Sequence, residues 1–333
     1  MHLTRTQPSP WGGSVGLAAQ CAALDAHARE ILGDHRVITL DADSKRHMDL
    51  GQVLEALQNQ GVTGLLVSDP LACAGHGPLG LARAWRIRKA MSRLHALTIG
   101  VVWDSRDPLL ASIFSVLLEP DDFLISPAAS SDALRQLGYS GVTLGPAPEI
   151  GATGTVRVSA TPEEWQQRPI DVLVSRSPHG LSHDDVRTMR MVAQLRGLSL
   201  TVLDRYLPAD AYVSLLQSSK YTIVSNKINP DYLRHDWARS VSPFHLTGRN
   251  FDALCHGSVL VTQDCPEVRD LFHSGSDVIT WTTPQTAVKQ IADHTRNAVG
   301  SWAIRRRGLE QAAALVENQP RLRQSLAPLL EWD

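Results

Sequence analysis

Cysteine is scarce. The 333 residues hold four, Cys21, Cys73, Cys255 and Cys265, and none stands in CxxC or CxxH spacing. That argues against a disulfide framework and a structural zinc site, and fits reduced thiols in a cytoplasmic protein. No run approaches the ~20 apolar residues that span a bilayer. The opening Met1-His2-Leu3-Thr4-Arg5 lacks the apolar core of a secretory signal. Neither sign of charge is in excess: 32 basic and 34 acidic side chains leave a net charge of -2. Neither half is a polycation, so composition gives no push toward nucleic acid. A local exception, the basic stretch 83–93, reads as the solvated face of an amphipathic helix, with a polyanion contact as the alternative. The glycine-rich loop Pro10-Trp-Gly-Gly-Ser-Val-Gly16 has neither GxGxxG nor GxxxxGK[ST] spacing, so it supports neither a dinucleotide fingerprint nor a P-loop. No short-period repeat is evident.

What is present is an ordinary globular composition, 43% apolar and 20% charged. At roughly 150 residues per domain, the length suits two domains. Short β-rich runs alternate with helical segments. Strands are expected near Leu3 and over 37–40, 64–67, 98–103, 123–125 and 141–144, with helices over 17–32, 50–60, 79–94 and 130–137. The Pro- and Gly-rich stretch 145–154 then reads as a linker. A second series follows, with strands at 170–175, 199–203, 221–224, 258–262 and 278–281. Its helices are expected at 183–195, 209–217, 250–255, 265–272 and from 286 into the early 300s. Such alternation predicts βαβ units and parallel sheets. The expected organisation is an N-terminal α/β domain over 1–155, a C-terminal one over 156–304 and a basic, Leu-rich helical tail over 305–333 that could fold back on the first. Ligands of such sheets bind beyond the carboxyl ends of the strands.

Three groups of residues could carry chemistry. The loop Pro10-Trp-Gly-Gly-Ser-Val-Gly16 opens a helix, and Gly12 and Gly13 would let backbone amides approach an anion there, a plain turn being the alternative. The block Thr247-Gly-Arg-Asn-Phe-Asp-Ala-Leu-Cys-His-Gly257 has more content. Asn250 is expected as the N-cap of a short helix stopped by Gly257. Amides near Gly248 and the charge of Arg249 suit a pyrophosphate, and Asp252 could accept hydrogen bonds from ribose hydroxyls. The alternatives are a surface ion pair for Arg249 and helix-dipole stabilisation for Asp252. The third group is Asp69, His76, Asp104 and Asp107, all after strands of the first series. A carboxylate there could act as base toward an acceptor hydroxyl, or cap a turn. Lys220, Asn226, Lys227, Arg234 and His235 flank the irregular stretch 226–247, where Lys227 or Arg234 could hold phosphate or be simply solvated. Asp41-Ala-Asp43 reads as a turn, and no histidine shows metal-ligand spacing.

The pattern R-x-F-[acid]-A-L-x-x-G-x-x-L-x-T over 249–262, followed by Cys265-Pro-Glu-Val-Arg-Asp-Leu-Phe272, resembles the C-terminal domain of group-1 glycosyltransferases. It is most similar to the CgeB-like, spore-maturation-protein branch. Trp11-Gly12-Gly13, Val101-Val-Trp-Asp104, the linker Leu144-Gly-Pro-Ala-Pro148 and Asp171-Val-Leu-Val-Ser-Arg176 agree in order with that family. The resemblance spans about residues 10–300, and its specific part is 249–272.

The resemblance implies a GT-B fold: two doubly wound, Rossmann-like α/β domains facing across a cleft. It implies transfer of a sugar from a nucleotide-diphosphate sugar to an acceptor hydroxyl, with retention and without metal or other cofactor. It puts the donor ribose on Asp252, the diphosphate on Arg249 with Arg176 as a second contact, and the polar cleft residue on Asp104; His76 is a candidate by its loop position alone. Two departures stand out. The family's acid is usually Glu where this chain has Asp252, and its second acid, eight positions earlier, is Phe244 here, beside His245. A nucleotide-sugar epimerase and a non-catalytic binding protein of the same fold therefore remain open. The acceptor is not implied: a saccharide, lipid-linked sugar, protein, natural product or modified nucleic-acid base all fit.

Overall fold

In the computed structural model the described residues are the strands of a first sheet within residues 1–144, with single positions between them, and then residues 161–175, 181–205, 207–227 and 246–318. The chain divides into two compact units, one built on Met1–Ala147, the other on Pro148–Leu233 and Ser242–Gln319. In the first unit β1 (His2–Thr4), β2 (Thr39–Asp41), β3 (Gly64–Ser68), β4 (Leu97–Val102), β5 (Asp122–Ile125) and β6 (Val142–Leu144) form one sheet in the order β2-β1-β3-β4-β5-β6. Every pairing in it is parallel. Of the helices expected between these strands, Ala26, Arg29, Glu30, Trp85 and Lys89 are described and are helical.

The second unit carries β7 (Ile170–Ser175), β8 (Leu200–Leu203), β9 (Ser219–Val224), β10 (Val259–Gln263) and β11 (Ile279–Trp281), again all parallel, in the order β11-β10-β9-β7-β8. Its helices, numbered from the first whole one described, are α1 (Pro162–Gln166), α2 (His183–Leu195), α3 (Ala209–Gln217), α4 (Gly248–Cys255), α5 (Pro266–Leu271), α6 (Pro284–Thr295) and α7 (Ala298–Asn318).

Alternation along the strands explains why helices cover both faces of this sheet. Val172, Val174, Tyr221, Ile223, Val259 and Val261 point to one face and pack with Val186 and Met189 of α2 and Val288 and Ile291 of α6. Leu173, Val224 and Leu260 point to the other and pack with Leu216 of α3, Phe251 and Leu254 of α4 and Val268 of α5. A strand buried on both sides is largely apolar, and the polar positions of these, Ser175, Thr262 and Gln263 among them, gather mostly at strand ends. Local signals set the helix ends. Ser182 Oγ accepts from the Asp185 amide (3.0 Å) while Asp185 Oδ2 accepts from the Ser182 amide (2.9 Å), a capping box that starts α2. Gly257, at φ 77°, turns the chain out of α4 and toward β10.

Helix α7 runs unbroken through position 305, where the sequence reading begins a separate tail. The basic run Arg305-Arg306-Arg307 lies inside it, and Ile304, Arg305, Leu309 and Ala312 are buried. Gly308 sits where α7 crosses the chain just before β11: a Cβ there would stand 2.8 Å from Leu254 Cδ2 and even closer to the Asp277 carbonyl oxygen. Alanine favours helix over glycine by about 1 kcal/mol. Even so, Gly308→Ala is expected to destabilise, by roughly 1–3 kcal/mol, because backbone would have to move. Urea denaturation of the variant checks this. Among the described residues no helix is long and apolar enough to cross a membrane.

Candidate functional site

The order of the second sheet reverses between β7 and β9. At such a point the two neighbouring strands send their connections to opposite faces, which leaves a crevice beyond their carboxyl ends. Register puts Ser175, Val224 and Thr262 in one row at that edge. Ser225, Asn226 and Gln263 lie just beyond it.

Three buried side chains close a hydrogen-bonded ring above this row. Asn226 Nδ2 donates to Thr262 Oγ1 (2.8 Å), Thr262 Oγ1 donates to Asn250 Oδ1 (2.6 Å), and Asn250 Nδ2 donates to Asn226 Oδ1 (2.9 Å). All three residues are fully buried. Each polar group satisfies the next, so the ring fixes α4 to the ends of β9 and β10. Asn250→Ala would orphan Asn226 Oδ1 and the Thr262 hydroxyl proton. The expected loss of stability is about 1–3 kcal/mol for each buried group left unpaired, to be read from chemical denaturation. This corrects the expectation for Asn250. Thr247, in extended conformation, is the N-cap residue, and Asn250 lies inside the helix. Thr247 makes no side-chain cap; its hydroxyl accepts from Asn250 Nδ2 at 3.2 Å. The start of α4 is therefore uncapped by side chain, the condition in which a helix N-terminus suits an anion.

Helix α4 then presents Arg249 and Asp252. Arg249 is half-buried and donates from Nη1 to the carbonyl oxygen of Ser175, at the end of β7, at 3.3 Å. Its guanidinium is thus placed at the switch point. Asp252 is 6% exposed and accepts a long hydrogen bond, 3.5 Å, from the hydroxyl of Tyr212 on α3. Burial, and then the Asp252 carboxylate beside it, push the Tyr212 phenol well above its ordinary pKa. Tyr212 therefore stays a hydrogen-bond donor toward Asp252 at any working pH. Around them Gly248 is half-buried and Lys227 exposed. Ser225 Oγ donates to Gln263 Oε1 at 2.9 Å and accepts from the Lys227 amide at 3.3 Å. The Cys255 and Cys265 thiols are each pushed up to about 12 by burial, so neither is a thiolate nucleophile.

The structure thus gathers Gly248, Arg249, Asn250, Asp252, Asn226 and Lys227 at one edge. Lys220 is not among them. It lies at the amino end of β9 and pairs with Asp171 at 2.7 Å. Tyr212, Ser175, Ser225 and Gln263 join the site without having been singled out; only the proximity of Ser175 to Arg176 hinted at one of them. Arg176, Asp104, His76, Gly12 and Gly13 lie outside the described residues, as do Asp69, Asp107, Arg234, His235, Phe244 and His245. Among the described residues no group of three or more His, Cys, Asp or Glu is placed to hold a metal ion.

Comparison with known proteins bears on this geometry. Residues 186–327, which include α4, Tyr212, Asn226 and Thr262 but not β7 with Ser175, match the family model described as glycosyl transferase-like. No curated protein sequence matches the chain. Among solved structures, HepE from Anabaena in complex with UDP and glucose is similar over 99% of this chain and 99% of its own, at TM-score 0.58 and 11% identity. A glycosyltransferase from Rickettsia africae is similar over 99% and 97%, at 0.55 and 9%. TarM of S. aureus is similar over 84% of this chain, at 0.56 and 10%, and this chain spans 57% of the length of TarM. At such identities the likeness establishes the fold, which is GT-B.

Proposed function

We propose that this chain, a glycosyltransferase of the GT-B fold, takes its sugar from a nucleoside-diphosphate sugar held at the carboxyl edge of the second sheet. One observation carries the reading. A half-buried arginine and a nearly buried carboxylate stand one helical turn apart on α4, at the reversal of strand order and at a helix start without a side-chain cap. In this reading Arg249 and the amides at Gly248 and Arg249 take the diphosphate, with Arg176 and Lys227 as further contacts. Asp252, kept in place by Tyr212, takes the ribose. Asn250 serves by its buried ring rather than by touching the donor.

In the transfer step the bond from the anomeric carbon to the diphosphate oxygen breaks and a bond to the acceptor oxygen forms. Negative charge grows on the departing diphosphate. A fixed guanidinium and a helix N-terminus stabilise that charge without reorganising, and no metal is required for it. The acceptor proton passes to a base, for which Asp104 is the first choice, with His76 the next to test. We propose retention at the anomeric carbon and a cytoplasmic setting, with the acceptor drawn from the classes named above.

A thermal-shift screen of nucleoside diphosphates and their sugars tests the binding claim, since ligands of the native state raise its midpoint. At least one nucleoside diphosphate should stabilise the protein. Turnover of the stabilising donor then separates transfer or slow hydrolysis from epimerisation and from binding without reaction. A complete lack of stabilisation across the panel would contradict the proposal.

A further inference from the structure

A second concentration of charge lies at the opposite edge of the same sheet. Arg168 stands two residues before β7 and donates from Nη1 to the carbonyl oxygens of Ser219 (2.7 Å) and Gly257 (2.9 Å). Arg305, on α7, donates from Nε to the same Gly257 carbonyl at 2.7 Å. Ser219 opens β9 and Gly257 lies two residues before β10. Both arginines are thus at the amino ends of the strands, about 17 Å along a five- to six-residue strand from the edge that carries Arg249.

The two guanidiniums converge. A Cβ placed on Gly257 would stand 2.6 Å from Arg305 Nη2 and 3.1 Å from Arg168 Nη2, so both Nη2 groups close on one point. Arg305 is 2% exposed, and its guanidinium carbon lies 4.5 Å from the centroid of the Trp302 ring. Among the described residues neither guanidinium has a carboxylate within ion-pair distance. Asp171, the acid on this edge, is bound to Lys220 at 2.7 Å. The Nη2 groups of both arginines also have no hydrogen-bond acceptor among the described residues. Burial, joined for Arg168 by the charge of Arg305, lowers both guanidinium pKa values to about 10. Two cations, Arg305 buried and Arg168 half-buried, lie together, oriented by backbone carbonyls and an indole face, with no carboxylate within ion-pair distance among the described residues. A planar guanidinium whose orientation is already fixed loses little entropy on binding a tetrahedral oxyanion, and two such groups fit one phosphate better than lysines would.

We infer that the facing Nη2 groups of Arg168 and Arg305 form a binding site for a phosphate-type oxyanion, separate from the nucleotide site. The anion is either free inorganic phosphate or the terminal phosphate of a larger ligand.

The test is thermal unfolding of the full chain in inorganic phosphate, in glycerol phosphate, and in sodium chloride of equal ionic strength. Wild type, Arg168→Gln and Arg249→Ala are compared, with the last removing phosphate affinity at the nucleotide site. Near ten times its dissociation constant, phosphate should raise the wild-type midpoint by roughly 3–5 °C over chloride. The rise should persist in Arg249→Ala and vanish in Arg168→Gln. An equal effect of glycerol phosphate identifies a phosphomonoester as ligand, and an effect of inorganic phosphate alone identifies the free anion. The inference is overturned if chloride matches phosphate, if Arg168→Gln keeps the rise, or if Arg249→Ala loses it. Should Arg168→Gln fail to fold, Arg168→Lys keeps the charge without the planar fork. A reduced rise is then expected, and an unchanged one overturns the inference. Because Arg249→Ala is in the comparison, failure here leaves the nucleotide site standing, and the reverse.

Discussion

Asp252→Asn and Asp104→Asn should fail in different ways. Asp252 is proposed to hold the donor ribose, a contact made equally in ground and transition states. Loss of such uniform binding raises the apparent KM for donor more than it lowers kcat. The structure gives the site reason to respond: Asp252 is 6% exposed and the Tyr212 hydroxyl is 3.5 Å from its Oδ2. An asparagine keeps the shape and removes the charge, so the fold should survive. Asp104, two residues past β4 in sequence, is proposed as base toward the acceptor. Its loss should lower kcat by about 10²- to 10⁴-fold while donor binding persists. Steady-state kinetics with an identified acceptor, or slow donor hydrolysis as a substitute, separates the two patterns. If Asp104→Asn keeps kcat within a few-fold of wild type, the base is another residue, and His76 and Asp107 come next.

Arg249→Ala should weaken nucleoside-diphosphate binding by roughly 1.5–3 kcal/mol, the scale of a charge-assisted hydrogen bond. That is about a ten- to 150-fold rise in dissociation constant. The side chain is half-buried and its hydrogen bond to the Ser175 carbonyl is long at 3.3 Å. Calorimetric titration reads the affinity and circular dichroism the fold. Unchanged affinity in a folded variant would make Arg249 a surface residue without a part in donor binding.

Much of the second sheet is legible in the sequence because its signals are local. The expected strand 170–175 and helices 183–195 and 209–217 coincide with β7, α2 and α3. Apolar strand runs, the Ser182 cap and the left-handed Gly197 (φ 68°) each act within a few residues. Asn250 departs from its expected place as N-cap for the opposite reason. An Asn before an apolar helical run is the usual cap signature, but here the side chain is drawn inward by Thr262 and Asn226, 12 and 24 residues away. No linear pattern announces Tyr212, whose hydroxyl reaches a carboxylate 40 residues on. Lys220 misleads by proximity. It is six positions from Asn226, but β9 runs between them and separates them by about 20 Å of extended chain. The Arg168–Arg305 pair arises in the same way, from the meeting of α7 with the turn at Gly257.

The central claim is that the second unit, through the start of α4, holds the nucleotide. A crystal structure with a bound nucleoside diphosphate tests it most directly. The diphosphate should lie within hydrogen-bonding distance of Arg249 and the amides at Gly248 and Arg249, with the ribose hydroxyls on Asp252. A diphosphate lying wholly on residues 10–110 would contradict the account.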